Sequence, residues 1–173
     1  SRRVRLRCVD APELTQEDGP AAKAALASLI PVGSLVRLGR QDADTYGRTL
    51  TEVYRKGDRE GDMTEFVNVN MEMVSLGWAY VYCLMHEHCA LSQYLPLQTV
   101  ARAACRGVWY YRGGGERPWV YRYEQLNNGA LPPWDDVTCP PSPALPPAVP
   151  TGACAAPRVP TPWPTNPGGS PST

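Results

Sequence analysis

The chain has 173 residues, with 17 Lys or Arg against 17 Asp or Glu, so its formal net charge is zero at neutral pH. Bulk charge therefore does not indicate nucleic-acid binding. No apolar run reaches the roughly 20 residues that a membrane-spanning helix requires, and no signal peptide is visible.

The prolines divide the chain. Fourteen of the 19 lie from Pro132 onward, in a stretch rich in Pro, Ala, Gly, Ser and Thr. Such a stretch cannot bury enough apolar surface to offset the entropy lost on ordering. We therefore predict a folded domain at residues 1–112, a C-terminal extension with aromatic anchors at residues 113–138, and a disordered Pro-rich tail at residues 139–173.

Periodicity in the folded part predicts a mixed order of strands and helices. Val4, Leu6 and Cys8 alternate with polar neighbours, as in a half-buried strand, and the apolar stripe of "AAKAALASLI" predicts a helix that ends at Pro31. The other predicted elements are strands at residues 34–40 and 48–55, a turn at 42–47, a hairpin loop at 56–62, a helical segment from Thr64 to Gly77, an extended run at 78–82, and a helix at 95–106 with Pro96 in its first turn.

Three charged residues stand close together where the first strand ends. The guanidinium fork of Arg5 matches the geometry of a phosphate. Asp10 is a hard oxygen ligand, suited to calcium or magnesium, and Glu13 can orient or deprotonate a water. Taken alone, this group is more typical of solvated surface charges than of a site.

A second arginine strengthens the functional interpretation. Arg48 follows the glycine turn of "DTYGRTL" at the start of a strand. Two guanidiniums, a metal-binding acid and a water-activating acid form a complete set for cleaving a phosphodiester, because they neutralise the phosphate and stabilise the transition state.

The chain also resembles the staphylococcal nuclease family. The resemblance rests on "VRLRCVDAPE", "GPAAKAALASLI", "DTYGRTLTEVY", "VNVNMEMVSLGWAYVY" and "ARAACRGVW", in this order, and covers Val4 to Trp109. The segment "GERPWVYR" also looks like the extension that comes after the domain in some bacterial members. The implied fold class is α+β: a five-stranded OB-type β-barrel with three helices.

The resemblance implies a role for each matching residue. Arg5 is similar to the first phosphate-binding arginine and Arg48 to the second, which stabilises the transition state. Asp10 matches a calcium-ligating aspartate, and Ala11 a position that ligates calcium through its backbone carbonyl. Glu13 matches the glutamate that activates the attacking water. The tyrosines implied to line the nucleotide pocket are Tyr46, Tyr80 and Tyr82.

The chain departs from the family pattern at its start. The family has two strands upstream of the position of Arg5, one of which carries a further calcium-ligating aspartate. This chain opens inside a strand without a Met, so we expect these first strands to be missing. Thr45 also replaces a lysine that is common near the pocket.

Several residues carry a structural interpretation beside the functional one. Alternation of Tyr80 and Tyr82 is also typical of sheet packing, and Cys8 is expected to be a small core residue. Asn68 and Asn70 are expected to cap a helix or to make structural hydrogen bonds. In "YCLMHEHCALSQ", a zinc site formed by Cys83, His86, His88 and Cys89 is one interpretation, and a local Cys83–Cys89 disulfide in an exported protein is a better one. The third is that these are free residues on a surface loop.

The sequence therefore predicts a calcium-dependent phosphodiesterase, a monomer that hydrolyses DNA and RNA with little sequence preference. Its expected location is outside the cell or in the periplasm, with no partner identified for the tail. The alternative hypotheses are a non-catalytic OB-fold module that binds nucleic acid or protein, and an inactive fragment.

Overall fold

The computed structural model describes residues 3–44, 46–57, 66–83, 88–110 and 114–130. Predictions on Thr45, on His86, on residues 58–62 of the hairpin loop and on the Pro-rich tail fall outside these residues. The strands are β1 (Val4–Leu6), β2 (Val9–Asp10), β3 (Val36–Leu38), β4 (Asp42–Ala43), β5 (Thr49–Thr51), β6 (Val53–Lys56), β7 (Phe66–Asn68) and β8 (Tyr80–Val81). The helices are α1 (Gly19–Leu29), α2 (Val69–Ser75), α3 (Leu91–Ala103) and α4 (Pro118–Leu126), with a 3-10 helix at Gly107–Tyr110.

The described strands form three small sheets, so the α+β class is confirmed. β1 pairs in parallel with β5, which pairs with β4; β2 pairs with β8; and β6 lies between β3 and β7. A closed barrel and additional first strands stay predictions. Among the described residues there are four α-helices rather than three, because the extension contains α4. None of the described helices is long and apolar enough to cross a membrane.

Three predicted boundaries were wrong. The helical segment does not run through residues 66–68, which form β7; helix α2 begins after Asn68, whose side chain accepts from the Met71 N–H and caps it. Helix α3 starts at Leu91 rather than residue 95, because the Ala90 carbonyl already accepts from the next turn, and Pro96 lies inside it. The strand at 48–55 breaks at Glu52, which separates β5 from β6.

Helix α2 occupies the centre of the domain. Val69, Met73 and Val74 are buried against strand residues and α3. Asn70 is also buried, and its amide accepts from the Val53 N–H and donates to the carbonyls of Arg7 and Thr51. The structural roles predicted for Asn68 and Asn70 are therefore confirmed.

A disulfide joins the first strands to the start of α3. It links Cys8 to Cys89, which are 81 positions apart, with their Cα atoms separated by 5.6 Å. The predicted local Cys83–Cys89 bond was therefore wrong, and Cys8 is a buried half-cystine rather than a simple core residue. Cys89 is consequently not available as the predicted zinc ligand. No cysteine in the described part of the chain is free.

Candidate active site

The turn between β1 and β2 brings Arg5 to Asp10. Cys8, in the short turn after β1, takes a left-handed backbone conformation (φ +67°). Arg5 Nη2 then lies 3.0 Å from Asp10 Oδ1. The Asp10 side chain is only 3% exposed, and a buried carboxylate requires a charged partner of this kind.

Glu13 lies on the loop that links β2 to α1, and hydrogen bonds within this loop hold its conformation. The Glu13 N–H donates to Gln16 Oε1 over 2.8 Å, and the Gln16 N–H donates to the Glu13 carbonyl over 2.9 Å. Gly19 passes so close that an added Cβ would lie 1.9 Å from the Glu13 carbonyl oxygen. The backbone that carries Glu13 is therefore fixed by contacts within the loop and with the start of α1.

The structure adds a residue that the sequence patterns did not reveal. The guanidinium of Arg122, on α4, contacts both acids: Nη2 lies 2.6 Å from Asp10 Oδ2, while Nη1 lies 3.2 Å from Asp10 Oδ1 and 2.8 Å from Glu13 Oε1. Arg122 lies 112 positions beyond Asp10. Arg5, Asp10, Glu13 and Arg122 form one ion-paired group, which we call the acid–guanidinium cluster.

Electrostatics hold this cluster together. Burial alone would lower the pKa of the Arg122 guanidinium, but the hydrogen bonds and charges of Asp10 and Glu13 outweigh it and hold that pKa above its ordinary value. Arg122 is therefore a permanent cation. Two carboxylates face two guanidiniums, so the cluster is formally neutral.

Aromatic packing sets the position of Arg122. Trp119, one turn earlier on α4, packs against Tyr80 and Tyr82, with ring centroids 6.0 and 5.4 Å apart. The Tyr121 hydroxyl pairs with the Thr15 hydroxyl over 2.7 Å. Helix α4 therefore lies across both the aromatic strand β8 and the loop that carries Glu13.

The three tyrosines predicted to line the pocket differ in their surroundings. Tyr80 is buried, its hydroxyl donates to the Gly115 carbonyl, and its ring contacts Trp109 and Trp119. Tyr82 is half-buried; burial, followed by the charge of Asp10, raises its pKa. Tyr46 is 80% exposed. Substrate binding by these tyrosines stays a prediction, although Tyr80 presents no open ring face in this arrangement.

Arg48 lies on a hairpin next to β1. Its Nε donates to Asp44 Oδ2 over 2.5 Å, and its backbone N–H donates to Asp44 Oδ1. In the parallel pairing of β1 with β5, Arg5 lies opposite Leu50, two positions after Arg48. Arg48 itself immediately precedes β5, so the hairpin brings it near the strand that pairs with β1.

The donor set fits calcium poorly in this arrangement. Asp10 and Glu13 offer oxygen ligands of the right kind, but both Asp10 oxygens accept from guanidiniums. Among the described residues, no group of three or more His, Cys, Asp or Glu is arranged to hold a metal ion. The side chain of Ala11 packs against the core, and the ligand role of its carbonyl stays a prediction.

Sequence comparison relates the chain to known nucleases. Residues 3–111 match the family model described as staphylococcal nuclease homologue. "Protein ParB" of Escherichia coli is 36% identical over 72% of this chain and 69% of its own length. "Micrococcal nuclease" of Shigella flexneri is 35% identical over 72% of this chain and 70% of its own.

An "uncharacterized endonuclease" of Haemophilus influenzae is 34% identical over 72% of this chain and 63% of its own length. The family model covers most of the described domain, including Arg5, Asp10, Glu13 and Arg48, and it ends before α4. The chain belongs to the staphylococcal nuclease family.

Proposed function

We propose that this protein hydrolyses the phosphodiester bonds of DNA and RNA with little sequence preference and in a calcium-dependent manner. As a member of its family the chain is a nuclease; the breadth of its substrates and the role of the ion are the proposal. The acid–guanidinium cluster supports it, since Arg5 pairs with Asp10 and Arg122 links Asp10 to Glu13.

Each side chain has a distinct task in this reaction. Glu13 orients a water and takes its proton as the water attacks phosphorus. Arg5 pairs with the phosphate oxygens and offsets the charge that develops on them. Arg48, on the hairpin that leads into β5, stabilises the same charge.

Broad substrate range follows from the groups that these side chains recognise. Guanidiniums and carboxylates at this site act on the phosphate and the attacking water, which every nucleotide in DNA and RNA shares. Sequence is read through base edges instead. None of the roles assigned to Arg5, Glu13 or Arg48 requires a particular base.

Calcium dependence rests on the resemblance and on the chemistry of Asp10, since buried carboxylate oxygen is a preferred calcium ligand. The cluster as described holds Arg122 at these oxygens instead. The steps assigned to Glu13, Arg5 and Arg48 accordingly do not pass through the ion.

We further propose that the protein acts outside the cytoplasm, in the periplasm or secreted, and as a monomer. The Cys8–Cys89 disulfide supports this location, because such bonds persist in oxidising compartments. Free calcium is also plentiful outside cells.

Comparison of the wild type with Glu13→Gln tests the hydrolytic role. Cleavage of single-stranded DNA and of RNA is followed with calcium and with a chelator. We expect Glu13→Gln to lower kcat by about 10²- to 10⁴-fold, the range typical of a general base, with little change in binding of the uncut strand. Equal cleavage by both proteins would contradict the role of Glu13. Binding without cleavage by the wild type would favour a non-catalytic module.

A further inference from the structure

We propose that Arg122 and a divalent cation compete for the carboxylates of Asp10 and Glu13, so that Arg122 holds the site in a cation-free resting arrangement. This inference rests on the calcium dependence in the proposed function and specifies its regulation. It arises from the mismatch between the acid–guanidinium cluster and a metal site.

Arg122 and a divalent cation cannot both contact the Asp10 carboxylate on the same side. Asp10 Oδ2 accepts from Arg122 Nη2 at 2.6 Å, while Asp10 Oδ1 accepts from both Arg5 and Arg122. Calcium binds carboxylate oxygens at about 2.3–2.6 Å. An ion at that distance, on the side of the carboxylate where Arg122 now lies, would overlap the guanidinium.

Charge leads to the same conclusion. The two acids are balanced by Arg5 and Arg122, so a divalent ion added to the intact cluster would leave an excess of two positive charges around Asp10. The Asp10 side chain is 3% exposed, and water screens such repulsion poorly at a buried group. Release of one guanidinium therefore has to accompany ion binding.

Arg122 is the guanidinium that can leave. Its side chain is 32% exposed, compared with 23% for that of Arg5. Helix α4 has anchors that do not depend on Arg122: Trp119 against Tyr80 and Tyr82, and the Tyr121–Thr15 hydrogen bond. The Arg122 side chain can therefore turn outward while the helix stays docked.

Calcium titration by isothermal calorimetry, on the full chain without nucleic acid, tests the competition. We expect Arg122→Gln to lower the Kd for calcium at least tenfold, because the ion no longer displaces a cation. Arg106→Gln is the control: Arg106 is exposed, donates to the Ser75 carbonyl, and its loss changes the net charge equally. We expect this variant to stay within twofold of the wild type.

A second measurement follows Arg122 directly. In nitrogen-15 NMR of the wild type, the Nε–Hε signal of Arg122, assigned by its absence in Arg122→Lys, should move on calcium addition toward the position of a solvated arginine. Circular dichroism and the thermal midpoint check that Arg122→Gln is folded. A folded variant with unchanged or weaker calcium affinity would overturn the competition.

Two other outcomes would overturn the proposal as well. One is an Arg122 signal that stays unchanged in the calcium-saturated wild type. The other is a lack of calcium binding by both proteins at millimolar concentration. Hydrolysis is judged separately, by comparing the wild type with Glu13→Gln on nucleic acid, so failure of the competition and failure of the nuclease mechanism give different results.

Discussion

Asn70 joins three segments around the active site through one buried side chain, and its removal gives a sharp test of the fold. Its Oδ1 accepts from the Val53 N–H over 3.1 Å, and its Nδ2 donates to the carbonyls of Arg7 (2.9 Å) and Thr51 (3.3 Å). The residue has no exposed surface. These bonds link α2 to β5, to β6 and to the turn that leads to Asp10.

The loss in the free energy of unfolding depends on which buried groups are left without a hydrogen-bond partner in Asn70→Ala. The Thr51 carbonyl still accepts from the Arg7 N–H over 2.9 Å, so the Val53 N–H and the Arg7 carbonyl are the groups that lose a partner. Each buried group costs about 1–3 kcal/mol, which gives about 4 kcal/mol for two. This is a large share of the roughly 5–15 kcal/mol that stabilises a typical domain.

Urea unfolding, monitored by circular dichroism, measures this loss of stability. With a slope of about 2 kcal/mol/M, the unfolding midpoint should fall by about 2 M. Gln125→Ala provides the control, because Gln125 is exposed and surface substitutions of this kind change stability by about 0.5 kcal/mol or less. We expect Asn70→Asp to be as damaging at pH 7, where the carboxylate cannot donate, and to recover in part when protonated at low pH.

An unfolding midpoint for Asn70→Ala that matches that of the Gln125→Ala control would refute the reasoning. It would mean that the Val53 N–H and the Arg7 carbonyl find other partners. The same conclusion would hold if Asn70→Asp were as stable as the wild type at pH 7, since a carboxylate cannot replace the two donated hydrogen bonds.

Packing and burial give three further predictions. Trp119→Ala should weaken the docking of α4 by about 3–5 kcal/mol. The loss should appear as reduced hydrogen-exchange protection of the amides in that helix. Leu126→Ala, at an exposed position of the same helix, should leave the protection unchanged. Replacing both Cys8 and Cys89 by Ala should cost up to about 4 kcal/mol in the free energy of unfolding, given the 81-residue separation; an unchanged urea midpoint would show that the bond does not constrain the unfolded chain. Burial raises the pKa of the Asp18 carboxyl, and the negative charge of Glu17 raises it further. The folded state therefore binds this proton more tightly than the unfolded state, and stability is lost as pH rises from about 3.8 through the folded pKa. Asp18→Asn should raise the thermal midpoint at pH 7 and not at pH 3, and a gain that is equal at both values would contradict this sign.

Local patterns in the sequence were enough to predict one half of the candidate site. Arg5, Asp10 and Glu13 lie within nine positions of one another, and Arg5 and Asp10 are separated only by the short turn between the consecutive strands β1 and β2. Asn68 was recognisable as a helix cap, because capping depends on the next few residues. Arg48 was likewise indicated by the local turn "DTYGRTL" and then by the family resemblance, and its role stays a prediction.

Only the tertiary structure revealed the contacts that Arg122 makes with the two acids. "RPWVYR" was recognisable as an aromatic anchor, but nothing local distinguishes Arg122 from a solvated arginine, since its partners lie 109 and 112 positions earlier. The Cys8–Cys89 pairing has the same cause, because periodicity and turn chemistry do not report which distant cysteines meet. The sequence determined the order of the elements and predicted the acids of the candidate site; the docking of α4 decided which cation those acids hold, because that contact exists only after packing.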